Sequence, residues 1–229
     1  MSKTAVVVGA SQGIGLEIVQ SLLDEGHRVI AASRNIQNIE SLKTKFSSLQ
    51  SVELDLTDAK SIGALTNAVE HMGGIDVLVF NAGVGKFGSL SEMTMGDWDR
   101  MFDTNAKGFF LIISALQNEL KKKCAQVITI TSDVSSRAIA RGAIYAASKH
   151  AQKALIRSFQ MEFKNQIRFT EIRPGNVATD FGGVIGAEPS GDYLSPKDVA
   201  NAVLHVVNSS SKMRIDEIQM RPIDREVVF

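Results

Sequence analysis

Tyr145 and Lys149 stand four residues apart in the stretch Tyr145-Ala146-Ala147-Ser148-Lys149. In a helix, positions i and i+4 share one face a turn apart, so the Lys149 ammonium can sit beside the Tyr145 phenol. A free tyrosine has a pKa of about 10, and a nearby positive charge favours the phenolate, drawing the group toward the range where it exchanges protons near neutrality. The pair therefore reads as a general acid and the cation that tunes it. The same spacing occurs in ordinary helices with one exposed Tyr and one exposed Lys, so the surrounding elements must carry the reading.

Those elements begin at the first strand. Lys3 to Val8 is a short apolar, β-branched run, and Gly9-Ala10-Ser11-Gln12-Gly13-Ile14-Gly15 follows at once. An amphipathic stretch then runs through Leu23, with Ile14, Ile18 and Leu22 at helical spacing and Gly26 as a stop. Glycines at such a turn let backbone amides approach a pyrophosphate, which the positive end of the helix dipole stabilises. The spacing Gly-x-x-x-Gly-x-Gly departs from Gly-x-Gly-x-x-Gly but keeps its strand–turn–helix context. A purely structural turn would look the same. The second strand, Arg28 to Ala32, ends in Ser33-Arg34-Asn35. Dinucleotide-binding folds carry an acid here for the ribose hydroxyls or an Arg nearby for a 2′-phosphate. With Arg34 and no acid, the site favours NADP(H) over NAD(H).

A helix is expected from Ile36 to about Phe46, a strand from Val52 to Leu54, and a helix to His71 capped by Thr57 or Asp58. Asp55 closes a strand where parallel sheets bind ligands, and can accept from an adenine or simply form a turn. Strand Asp76 to Phe80 leads into Asn81-Ala82-Gly83-Val84-Gly85, a second turn of small residues. One long helix is predicted from Gly96 to about Lys123, with Asn105 inside it. Strand Val127 to Thr131 ends in Ser132, a loop spans Asp133 to Gly142, and the Tyr145 helix runs to about Phe163. Strand Phe169 to Ile172 precedes Arg173-Pro174-Gly175-Asn176-Val177-Ala178-Thr179. Ser195-Pro196 opens a last helix, to about Val207, before a final strand from Ile215 to Met220.

Composition bounds the function. The 229 residues carry 25 basic and 25 acidic side chains, without the basic surface that nucleic acid or an anionic membrane requires. No apolar run approaches the ~20 residues of a membrane span, and the start lacks a signal-peptide pattern. Cys124 is the only cysteine, and the histidines His27, His71, His150 and His205 show no ligand spacing, so no metal site is expected. A single domain over 1–229 in the cytoplasm follows. Strands alternating with helices imply a doubly wound α/β domain, its sheet covered on both faces.

Taken together, these motifs resemble the short-chain dehydrogenase/reductase family over nearly the full chain. The resemblance rests on Gly9, Gly13 and Gly15, on Asp55, on Asn81-Ala82-Gly83, on Asn105, Ser132, Tyr145 and Lys149, and on Pro174-Gly175 with Thr179. Ser132 precedes Tyr145 by 13 residues, which fits the family better than Ser135. Val8 stands where the family usually has Thr, Phe80 where a second Asn is common, and the C-terminus lacks the common Gly-Gly ending.

The resemblance implies a Rossmann-type, mostly parallel sheet of about seven strands and hydride transfer between NADP(H) and a small-molecule carbonyl or alcohol carbon. Tyr145 would be the general acid/base, Ser132 would hydrogen-bond the reacting oxygen, and Lys149 would lower the Tyr145 pKa and bind the nicotinamide ribose. Asn105 would hold a water linking Lys149 to solvent. The cofactor would lie along Gly9, Ser11, Gln12, Gly13, Ile14 and Gly15, then Ser33, Arg34, Asp55 and Leu56, then Asn81, Ala82 and Gly83. Tyr145, Lys149, Pro174, Gly175, Val177 and Thr179 would complete its site. Segment 180–194 would be a substrate lid, with Phe181, Val184, Ile185 and Tyr193 as apolar wall. A homodimer or homotetramer would form through the two long helices. Two alternatives use the same residues: a 3-oxoacyl-thioester ketoreductase, which the C-terminus disfavours, and a non-catalytic NADP(H)-binding sensor or interaction protein, which the retained Tyr and Lys disfavour.

Overall fold

The computed structural model describes residues 2–183 and 192–224. Seven strands form one sheet: β1 (Thr4–Val8), β2 (Arg28–Ser33), β3 (Leu49–Glu53), β4 (Val77–Phe80), β5 (Gln126–Ile130), β6 (Arg168–Pro174) and β7 (Glu217–Met220). Their order is β3-β2-β1-β4-β5-β6-β7, and every pairing is parallel. The order reverses at β1, which opens a crevice between the carboxyl ends of β1 and β4.

All five residues of β1 are buried because helices cover both faces of the sheet. Side chains alternate along the strand. Val6 and Val8 point to one core, with Phe109, Ile112 and Leu116 of α5 (Gly108–Lys122), Leu65 of α3 (Ala59–His71) and Ile156 of α6 (Ala143–Glu162). Ala5 and Val7 point to the other, with Ile18 and Leu22 of α1 (Gly13–Asp24) and Val199 and Val203 of α7 (Pro196–Val207). A short α2 (Gln37–Leu42) adds Ile39 to the second core. Asp58 caps α3 through Lys60 and Ser61, and Ser195 forms a capping box with Asp198 ahead of Pro196.

Three elements differ from the sequence pattern. The ladder from β2 aligns Val29 with Leu49, so β3 starts at Leu49 rather than Val52, through polar Gln50 and Ser51 that hide it. Helix α2 ends at Leu42 rather than near Phe46, because Lys43 bonds back only three residues, to Glu40, and Phe46 turns onto the second core. The predicted helix from Gly96 to Lys123 is two helices, α4 (Met95–Phe102) and α5, joined by a π-helical turn at Asp103–Lys107. That turn carries Asn105, fully buried, into the protein. Among the described residues no helix is long and apolar enough to cross a membrane.

Candidate active site

The strand ends open into one cavity of about 900 Å³. Its first half is built on the turn after β1. Gly9 has φ +83°, and a Cβ there would lie 2.6 Å from the Ala82 backbone, so only glycine lets the two turns meet. Asn81 ties them together, its Nδ2 donating to Gly9 O at 2.8 Å. Gly15 lies behind the cavity, where a Cβ would be 2.0 Å from Gly9 O. Gln12 precedes α1 without a side-chain cap, and the first turn has no acidic residue. The orphan N–H groups at that helix end therefore point into a positive, uncapped concavity.

Ser11, Gln12, Gly13 and Ile14 line this half, with Ser33 and Arg34 from the end of β2. Ser33 donates to Ser11 Oγ at 2.9 Å, and Asn38, which the sequence did not single out, holds Ser11 O at 2.9 Å. Arg34 is exposed. Asp55 and Leu56 line the same rim. Asp55 Oδ1 accepts from Thr57 Oγ1 at 2.7 Å and Thr57 N at 2.8 Å. Those bonds, with a smaller contribution from the Arg34 charge, hold its carboxyl below the usual range. Asp55 thus forms a turn with an ionised carboxylate at the cavity edge.

The second half holds the reacting groups. Ala82, Gly83, Ser132, Tyr145 and Lys149 line it, with Pro174, Gly175, Val177 and Thr179 opposite. Ser132 Oγ donates to Asp133 Oδ1 and accepts from Val134 N, each at 3.4 Å, on the side of the cavity that Tyr145 also lines. Burial pushes Tyr145 up to about 12, against a smaller lowering by the neighbouring Ser132 hydroxyl and with a further upward push from the Asp133 charge. The expected lowering by Lys149 is not what this geometry produces. The Lys149 ammonium lies 6.0 Å from the Tyr145 ring centre and is turned to Gln152 Oε1 at 3.0 Å and Ile130 O at 3.5 Å. Its own burial brings it down to about 8, which the Glu171 charge opposes.

Asn105 sits outside the cavity lining. Its Oδ1 accepts from Val84 N at 2.8 Å, and Nδ2 donates to Val84 O and Ser148 Oγ, each at 2.9 Å. With both amide hydrogens spent, the side chain clamps the turn after β4 to the first part of α6 and can offer a water only acceptor capacity.

Several functional neighbours were invisible as a pattern. Asp133, in the expected loop, is buried and receives Arg137 Nε at 2.9 Å and NH2 at 2.5 Å. The four-residue spacing was their one sequence signal. Phe87 and Phe181 flank the Tyr145 ring at 5.4 and 5.7 Å. Gly85 makes room, since a Cβ there would meet Phe181 at 2.8 Å. A bridge joins Leu194, at the end of segment 180–194, to Val177, three residues before it begins, and Tyr193 lines the cavity. Val184 and Ile185 lie outside the described residues. No group of three potential metal ligands occurs among the described residues.

A doubly wound parallel sheet with a glycine turn after β1, and Ser132, Tyr145 and Lys149 lining one cavity between the end of β5 and the start of α6, is the architecture of the dinucleotide-binding α/β folds. The chain belongs to the short chain dehydrogenase family, whose profile matches residues 3–189. It is 33% identical to glycine betaine reductase from Emericella nidulans over 98% of this chain, but spans only 19% of that protein's length. It is 28% identical to sepiapterin reductase from Chlorobaculum tepidum over 99% of each. Among solved structures, the alcohol dehydrogenase from the archaeon Thermococcus sibiricus complexed with 5-hydroxy-NADP superposes over 100% of both chains, with a TM-score of 0.95 and 31% identity. The protein is a short-chain oxidoreductase.

Proposed function

We propose that the chain is an NADP(H)-dependent reductase that interconverts a carbonyl and an alcohol carbon of a small molecule. The observation that carries this reading is that Ser132, Tyr145 and, one turn on, Lys149 line the same cavity as the uncapped start of α1. NADP(H), when bound, supplies or accepts the hydride. The residues present fit it. The N–H groups after Gln12 suit a pyrophosphate, Arg34 suits a 2′-phosphate where an acid would repel it, and the Asp55 carboxylate suits an adenine amino group. The archaeal relative with 5-hydroxy-NADP bound supports the same choice.

On the substrate side, Tyr145 donates its phenolic proton to the oxygen that gains charge as the carbonyl is reduced. Ser132 donates to the same oxygen, orienting it and stabilising the charge as it grows. Lys149 would hold the ribose hydroxyls of that cofactor, and its positive charge there would ease proton loss from the phenol. Asn105 fixes Val84 and Ser148 around this cluster, and any water linking Lys149 to solvent would rest on its remaining acceptor capacity. Val84, Phe87, Ile139, Phe181 and Tyr193 form a largely apolar wall beside the Asp133–Arg137 pair, which suits a compact substrate, with 180–194 as its lid. Assembly as a homodimer or homotetramer, in the cytoplasm, belongs to the same reading. The exposed Trp98 on α4 and Phe110 on α5 support assembly.

The test is loss of reduced-nicotinamide absorbance with NADPH, and separately NADH, across ketones, aldehydes, diketones, quinones and acyl thioesters. Turnover preferring NADPH on small carbonyls is expected. NADPH binding without turnover on any class would overturn the enzyme reading, and turnover confined to acyl thioesters would overturn the substrate class.

A further inference from the structure

Glu171 ends an otherwise apolar face. Val127 of β5 and Phe169 of β6 pack with Ile156 of α6 in the first core, and two residues further along each strand come Thr129 and Glu171, paired across the ladder. Glu171 is fully buried. Its Oε1 accepts from Thr131 Oγ1 at 2.7 Å and Ser135 Oγ at 2.8 Å. Thr131 is joined to Ser132 by the peptide bond, and Ser135 N donates to Ser132 O at 3.0 Å. One carboxylate oxygen thus draws together both ends of the turn that carries Ser132. The other oxygen, Oε2, makes no hydrogen bond and faces Arg157 at 3.8 Å and Lys153 at 3.9 Å. An apolar side chain of similar volume would fill the place of Glu171 at lower desolvation cost, so fold stability alone gives no reason for a carboxylate there.

We propose that Glu171 is a positioning residue for Ser132, closing the turn from Thr131 to Ser135 so that the Ser132 hydroxyl is held toward the cavity. The proposal rests on the reading of Ser132 as a donor to the reacting oxygen. A donor that stabilises charge growing in the transition state works only if it is already aimed, and a misplacement of ~1 Å can cost ~10²-fold in rate. The Ser132 side chain has little support of its own. Its Oγ meets Asp133 Oδ1 and Val134 N only at 3.4 Å each, long for bonds of a hydroxyl. The turn is instead fixed from behind, by hydroxyl-to-carboxylate bonds that are stronger than neutral ones. Ser132 continues the extended backbone of β5, with φ −174° and ψ 160°, so anchoring Thr131 before it and Ser135 after it sets where its side chain points. Arg173, also on β6, bonds Ser136 and Glu217 and steadies the next residue of the same loop.

The test is a double-mutant cycle on carbonyl reduction with NADPH. Glu171→Leu removes the acceptor and should lower kcat by ~10–100-fold, with NADPH affinity within about twofold of the natural protein's. In the Ser132→Ala background the same change should cost less than about twofold, because no hydroxyl remains to be aimed. Glu171→Gln keeps an acceptor oxygen for Thr131 and Ser135 and should retain most of kcat, since Glu217 still pairs with Arg157 at 2.5 Å and Lys153 at 3.5 Å. Equal fold losses from Glu171→Leu in both backgrounds, as a merely structural role gives, would overturn the proposal. If Glu171→Leu does not fold, Ser135→Ala carries the same cycle, for it leaves the carboxylate its Thr131 bond and both cations. In intact nucleotide-free protein labelled with 13Cβ-serine, with Ser132→Ala assigning the signal, the single Ser132 resonance should broaden or split in whichever of the two variants folds. An unchanged resonance there also overturns the proposal. If no carbonyl is reduced, that resonance still decides the proposal, and only the reductase reading fails.

Discussion

Lys149→Met should raise the stability of the nucleotide-free protein at pH 7 while abolishing its catalysis. The amine is held at about 8 against an ordinary 10.5, chiefly by burial. Because the folded-state value is depressed, the unfolded chain binds more protons between about pH 8 and 10.5, and stability rises with pH in that window. Below pH 8 the fold carries the full penalty, ~3 kcal/mol from the gap between the two values. Methionine is close in shape and removes that penalty, but it strands Gln152 Oε1 and Ile130 O, at roughly 1 kcal/mol for each lost partner. The net gain is ~1–2 kcal/mol, or roughly 2–6 °C in Tm for a domain of this size. Thermal unfolding followed by circular dichroism at pH 7 and pH 10 checks it. At pH 10 the natural protein's penalty has fallen below ~1 kcal/mol, so the advantage should vanish or reverse. A variant less stable than the natural protein at pH 7, or a difference that does not change with pH, would refute the reasoning.

Arg34→Ala should weaken NADPH binding by ~10–100-fold, the loss of a charge-assisted phosphate contact, and leave NADH nearly unchanged; fluorescence titration with both nucleotides checks it, and equal losses would count against the assignment. Gly15→Ala places a Cβ 2.0 Å from Gly9 O and 2.6 Å from Asn81 Nδ2, so it should lose roughly 1–3 kcal/mol and weaken nucleotide binding, whereas Gly63→Ala, in open space on α3, should gain ~0.5–1 kcal/mol. Denaturant melts of both variants distinguish the two. At Glu217 burial alone would push the carboxyl up, but Arg173, Lys153 and Arg157 hold it below its ordinary value. Its contribution is present above that ordinary value and lost as pH falls through the depressed one, so Glu217→Gln should cost ~1–3 kcal/mol at pH 7 and progressively less in acid, read from melts against pH.

The central strands β1, β2, β4 and β5 were legible because each is a short, mostly apolar run buried on both faces, whereas at β3 polar Gln50 and Ser51 interrupt the pattern. The turn at Gly9–Gly15 and the Tyr145–Lys149 spacing could be read because backbone approach and helical period restrict residue type. The break at Asn105 could not, since a π-helical turn leaves the apolar pattern of Gly96–Lys123 almost intact and depends on Val84 and Ser148, distant in the chain. The orientation of Lys149 was hidden for a similar reason. Its partners, Gln152 on the same helix and Ile130 O on β5, meet it only in the folded core.

The central claim is that the Tyr145 hydroxyl carries the proton, and one comparison tests it most directly: NADPH turnover by the natural protein and Tyr145→Phe on a carbonyl that the natural protein reduces, with NADPH affinity measured alongside. Loss of the hydroxyl should lower kcat by ~10²–10⁴-fold with NADPH affinity nearly unchanged. A phenylalanine variant that keeps most of the turnover would contradict the account.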